Sequence, residues 1–93
     1  MAKVTVLVAV YNAAPYLSHC LDSLVRQTLT DFQVVCVDDC STDSSPAILD
    51  AYARRDRRLS VIRLKENHGQ AYARNVGLAV AEGEFVCMLD ADD

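Results

Sequence analysis

The sequence predicts an α/β fold, a Rossmann-like three-layer αβα arrangement around a parallel four-stranded sheet with the order β-α-β-α-β-α-β. Three observations predict it. Short apolar runs at Val4 to Val10, Phe32 to Val37, Leu59 to Leu64 and Phe85 to Leu89 alternate with segments of helical period. The runs are nearly continuous rather than alternating, the pattern of strands covered on both faces. Strands separated by helices imply βαβ crossovers, hence a parallel sheet with right-handed connections and helices on its faces.

Val4 to Val10 reads as the first strand. Ala13-Ala14-Pro15 opens a helix, since the N–H that proline lacks has no intrahelical partner there. This helix runs to about Gln27, with Leu17, Cys20, Leu21, Leu24 and Val25 on its buried face and Ser18, Asp22 and Arg26 on the other. Phe32 to Val37 is the second strand, ending at Asp38-Asp39. Ser44 or Ser45 caps the next helix, Pro46 sits in its first turn, and Ile48, Leu49, Tyr52 and Ala53 form its apolar stripe. The arginines around Asp56, from Arg54 to Arg58, read as a solvated helix end, where cations are favoured. Leu59 to Leu64, interrupted by Ser60 and Arg63, suits an edge strand. An alanine-rich helix follows from about Gln70 to Ala81, closed by Glu82-Gly83 with the glycine in a left-handed cap. Phe85 to Leu89 then delivers Asp90-Ala91-Asp92-Asp93 at the end of a buried strand.

Composition narrows the function. The 93 residues, 52% hydrophobic and 24% charged, suit one packed domain rather than a disordered chain. A net charge of -4 excludes nucleic acid as the expected partner. No apolar run approaches the roughly 20 residues that span a bilayer, and Val4 to Val10 is too short for a signal peptide, so a cytoplasmic chain is expected. Cys20, Cys36, Cys40 and Cys87 lack paired C-x-x-C spacing and read as reduced core thiols.

Parallel strands end on one rim, which gathers Tyr11 and Asn12, Asp38 and Asp39, and Asp90 with Asp92. Ligands of open α/β sheets bind at that carboxyl rim, where strand order reverses. Asp90 and Asp92 alternate onto one face and can share a hard cation; oxygen ligands suit Mn2+ or Mg2+ rather than zinc or copper. Tyr11 can stack on a base and Asp39 can accept hydrogen bonds from a base N–H. Arg74, one turn beyond Gln70, either reaches the rim or pairs with Asp38 or Asp39, and the two roles are compatible. His68 reads as an exposed loop histidine.

The segments Val4 to Asn12, Cys20-Leu21-Asp22-Ser23-Leu24, Gln27-Thr28, Val37 to Asp43, Asn67 and Gly69 with Ala73-Arg74-Asn75, and Leu89 to Asp93 together resemble the family 2 glycosyltransferases. The resemblance covers the whole chain. It implies the N-terminal, nucleotide-binding half of a GT-A fold, residues 1–93, truncated after the Asp-x-Asp motif. The implied protein is a metal-dependent, inverting transferase acting in envelope or extracellular polysaccharide synthesis. Its partners are a nucleotide-sugar donor, UDP-sugar favoured, and a glycan or lipid-linked acceptor, at the inner face of the cell membrane. By the same resemblance Ala9, Tyr11, Asn12, Asp39, Arg74 and Asp90 contact the nucleotide and Asp92 ligates the metal. Ala9 replaces a proline common at that place, and Cys40 a frequent glycine. The general base comes from a later acidic motif, so this chain alone is expected to bind without catalysis. Its fourth strand is expected to lie unpaired or to self-associate through the exposed sheet edge.

Two other classes compete. Leu89-Asp90-Ala91-Asp92 resembles the start of haloacid dehalogenase-like phosphotransferases, but those place the motif after their first strand. A non-catalytic nucleotide- or cation-binding module is the other. Dinucleotide binding is disfavoured, because Tyr11-Asn12-Ala13-Ala14 stands where G-x-G-x-x-G would follow the first strand.

Overall fold

The computed structural model describes residues 4–26 and 31–90. Strands β1 (Val4–Val10), β2 (Phe32–Asp38), β3 (Leu59–Arg63) and β4 (Phe85–Asp90) alternate with helices α1 (Ala14–Val25), α2 (Ser45–Arg55) and α3 (Gln70–Val80). All three strand pairings are parallel and the sheet order is β3-β2-β1-β4. The predicted fold class is therefore the observed one, with β3 at an edge as expected.

Alternation along β1 divides the core between the two sheet faces. Val8 and Val10 pack with Leu17, Cys20, Leu21 and Leu49 beneath α1 and α2. On the opposite face Leu7 packs with Val35, Val37 and Ala73 beneath α3. Burial within the first cluster pushes the Cys36 thiol up to about 12, with Cys20 adding to the shift. Tyr52 joins the two helices of that layer by donating its hydroxyl to Asp22 Oδ1 at 2.5 Å. Asp22 is therefore an interhelical acceptor rather than part of a purely solvated face.

Several expectations are corrected. β4 is paired with β1 along its length, so it is not unpaired. It is not buried either: Phe85 is 60% and Met88 50% exposed, and Cys87 is exposed rather than a core thiol. The reason is position, since β4 ends the sheet order and its apolar residues lack the helix cover given to β1. Gly83 is not a left-handed cap; Ala81 closes α3 in an extended conformation (φ -68°, ψ 131°). Gly83 instead lies against β1, its N–H donating to Thr5 Oγ1 at 2.9 Å. Neither Ser44 nor Ser45 caps α2 through its side chain. Asp43 Oδ1 accepts the Ser45 N–H at 2.9 Å, leaving the Ser45 hydroxyl for the Ala13 N–H.

Arg58 is more than a solvated charge. It pairs with Asp56, donates to the Val25 carbonyl at 3.1 Å and stacks 4.5 Å from the Phe32 ring centre. α1 closes at Val25, and the end expected near Gln27 falls outside the described residues. Among the described residues, no helix is long and apolar enough to cross a membrane.

Candidate functional site

Strand order reverses at β1: the connections through α1 and α2 step outward on one side, and α3 returns the chain to the other side of β1. At the carboxyl rim beside this reversal lies a cleft of about 340 Å³, lined by Ala9, Val10, Tyr11, Ala13, Asp39, Asn67, Gly69 and Gln70. The position follows the rule for open α/β sheets.

Tyr11 follows the end of β1, lines the cleft and is half-exposed, at 51%. Asp39 follows the end of β2, also lines the cleft and is buried, at 3% exposure. Its carboxylate is held by backbone: Oδ1 accepts the His68 N–H and Oδ2 the Gly69 N–H, each at 2.8 Å. A bond from the Asp39 N–H to the Val10 carbonyl, 2.8 Å, ties the ends of β1 and β2 together. A carboxylate has about four lone-pair sites, so these two bonds leave Asp39 able to accept from a ligand.

Ala9 lines the cleft and pairs in register with Asp90 across β1 and β4. The backbone register thus carries the start of the Asp-x-Asp segment to the cleft's edge. Asp92 and Asp93 lie outside the described residues. Arg74 stands half-buried on α3, one turn beyond the cleft residue Gln70.

Two predicted rim residues do not line the cleft. Asp38 turns into its own loop, where Oδ1 accepts the N–H and hydroxyl of Ser41. Asn12 turns its amide oxygen to the Thr42 N–H at 2.7 Å. His68 is exposed as expected, and its ring stacks on Tyr72 with centres 4.2 Å apart.

Asn67, Gly69 and Gln70 were not among the predicted site residues. Asn67 Nδ2 donates to the Asp39 carbonyl at 3.3 Å, and Gly69 holds φ 94°, a left-handed value that glycine adopts without steric cost. A glycine immediately before a helix and across from a rim aspartate was the available signal. Cys40 also adopts a left-handed φ, 63°, which gives a physical reason for the glycine common at its place.

Among the described residues no group of three His, Cys, Asp or Glu side chains could hold a metal ion.

Relatives share this architecture. The chain is 38% identical over 90 residues to the glycosyltransferase GlyG of Streptococcus pneumoniae, covering 97% of this chain and 30% of GlyG. It is 45% identical over 96 residues to the poly(ribitol-phosphate) β-N-acetylglucosaminyltransferase TarS of Staphylococcus aureus, covering 100% of this chain and 17% of TarS. The crystal structure of TarS 1-349 in complex with UDP-GlcNAc superimposes with a TM-score of 0.91 at 43% identity, covering 97% of this chain and 26% of that one. The mannosyltransferase PcManGT of Pyrobaculum calidifontis, in complex with GDP-Man and Mn2+, gives 0.89 at 36% identity, covering 97% and 27%. The chain thus spans less than a third of each. The model of the glycosyl transferase family 2 matches residues 5–93, and the chain belongs to that family.

Proposed function

We propose that this chain is the nucleotide-binding portion of an inverting, metal-dependent glycosyltransferase that moves a sugar from a UDP-sugar to an acceptor hydroxyl in cell-envelope polymer synthesis. One observation carries the reading: the rim cleft is lined both by an exposed aromatic residue, Tyr11, and by a buried carboxylate residue, Asp39. A base needs a flat face to stack on and an acceptor for its ring N–H, and these residues offer both. Arg74 would add positive charge near the phosphates from α3. The UDP-GlcNAc complex of TarS and its poly(ribitol-phosphate) acceptor support the donor and the class of acceptor.

Asp92 would ligate a divalent ion, and Asp90 would hydrogen-bond the ribose directly or through water. A bound Mn2+ or Mg2+ would neutralise charge on the departing diphosphate. Support for a metal comes from the Mn2+ complex of the mannosyltransferase. The chain's own residues bind and orient the donor. No carboxylate of the chain is assigned as general base, so binding without turnover is its expected behaviour. A cytoplasmic site at the inner membrane face, and self-association through the exposed β4 edge, belong to the same proposal.

Titration calorimetry with UDP, GDP and dTDP, each with and without Mn2+, tests the reading. UDP should bind in a metal-dependent manner, and Asp92→Asn should abolish the metal dependence. A folded sample that binds none of the nucleotides in the presence of metal would sink it.

A further inference from the structure

Asn12 lies between two cleft-lining residues, Tyr11 and Ala13, yet does not line the cleft itself. Its amide oxygen accepts the Thr42 N–H at 2.7 Å, the Asp43 N–H at 3.3 Å and the Thr42 hydroxyl at 3.3 Å. The 41–45 loop grips back. Ser41 Oγ accepts the Asn12 N–H at 2.9 Å, Ser45 Oγ the Ala13 N–H at 3.1 Å, and Asp43 Oδ2 the Ala14 N–H at 3.1 Å. Ser41 is itself anchored to Oδ1 of buried Asp38. The loop after β1 and the loop after β2 are thereby laced into one unit.

We infer that Asn12 is a positioning residue for donor binding: it holds Tyr11 at a set distance from Asp39 without touching the nucleotide. This rests on the reading of Tyr11 and Asp39 as base contacts. Tyr11 projects half-exposed from the chain, so its placement depends on the backbone on either side. On one side Val10 is bonded to Asp39. On the other stands Asn12, with φ 49°, a left-handed conformation that asparagine tolerates better than most side chains. Only an Asn- or Asp-like residue supplies both requirements, the left-handed backbone and an acceptor within reach of the 42 and 43 N–H groups.

Three variants separate the parts. Asn12→Asp keeps the acceptor and tolerates the backbone; Asn12→Gly keeps the backbone and deletes the acceptor; Tyr11→Ala removes the ring. UDP affinity is measured by calorimetry in Mn2+ on the 93-residue chain. Asn12→Gly should weaken binding roughly tenfold, the scale of a lost hydrogen-bonding group, while Asn12→Asp should stay within about threefold of the unaltered chain. Tyr11→Ala should cost much less in the Asn12→Gly background than in the unaltered one. Amide exchange should accelerate at Thr42 and Asp43 in Asn12→Gly and not in Asn12→Asp.

Additive effects of Asn12→Gly and Tyr11→Ala in a chain that binds UDP would overturn the inference alone. So would Asn12→Asp binding as poorly as Asn12→Gly, because the missing group would then be the amide NH2. Should Asn12→Gly fail to fold, a loss of about tenfold in a folded Asn12→Asp chain overturns the inference by itself, and retention within about threefold supports it. An unaltered chain that does not bind UDP would overturn the donor reading and this inference with it.

Discussion

The N–H of Gly69 donates to Asp39 Oδ2 at 2.8 Å, which joins the end of β2 to the residue that opens α3. The His68 N–H makes the matching bond to Oδ1. One buried side chain therefore satisfies N–H groups at a helix start and forms a wall of the cleft. A carboxylate suits this place twice, as a double acceptor and as a negative charge near a helix N-terminus. Asp39→Asn offers one acceptor oxygen and turns an NH2 toward the other N–H. The variant should lose about 1–3 kcal/mol of stability, read from a denaturant midpoint, and should also weaken UDP binding. An unchanged midpoint would show that the two backbone bonds contribute nothing to the fold.

Gly83 is a second point where the packing leaves no room for a side chain. A Cβ built there would sit 2.6 Å from the Thr5 nitrogen, 2.8 Å from Thr5 Oγ1 and 2.8 Å from the Val4 carbonyl carbon. Two of these neighbours are backbone of β1, whose pairing on both sides prevents retreat. At Gly77 the nearest atom, 2.8 Å away, is the end of the Leu7 side chain, which can rotate. Gly83→Ala should therefore destabilise by roughly 1–3 kcal/mol, and Gly77→Ala by less. Thermal melts of the pair decide it: equal losses would mean that the 83 turn lifts off β1 freely.

The strands and their rim were legible because continuous apolar runs mark strands and parallel strands share a carboxyl edge. Val10 followed by Tyr11, and Val37 followed by Asp38-Asp39, needed no further information to be placed together. What the runs do not encode is cover. Phe85 to Leu89 is as apolar as Val4 to Val10, yet β1 lies between two strands and β4 at the end of the order. Glycine is equally ambiguous: after a helix it serves either a left-handed cap or a close approach, and only the proximity of Thr5 selects the second for Gly83. Likewise Asp43-Ser44-Ser45 offers several capping side chains, and it is the demand of the Ala13 N–H for Ser45 that leaves Asp43 at α2. Asn12 was legible as a rim residue, but the direction of its amide depends on a loop 29 to 31 residues away in sequence.

Arg58 links three elements, and this gives stability a readable pH dependence. Its guanidinium pairs with Asp56 at 2.6 Å, and the two side chains are only 23% and 18% exposed, so the pair is less screened than an ordinary surface one. Hydrogen bonds from the Arg58 side chain hold the Asp56 carboxyl below its ordinary value of 3.8, outweighing the opposing effect of burial. A carboxyl lowered in the folded state contributes stability that is complete above its unfolded pKa and is lost as pH falls through the folded value. Arg58→Met should lower stability by about 1–2 kcal/mol at neutral pH, combining the lost charged hydrogen bonds with the lost stacking on Phe32. Between neutral pH and pH 5 the gap to the unaltered chain should be constant. Below about pH 4 it should narrow as Asp56 takes up its proton, without closing, because the bond to the Val25 carbonyl and the stacking do not titrate. Arg58→Lys should recover only part of the loss, since an ammonium cannot fork between Asp56 and Val25 while lying on a ring. Denaturation midpoints for the three proteins across this range test the account, and a gap that stays constant into acid would show that the pair with Asp56 adds no stability.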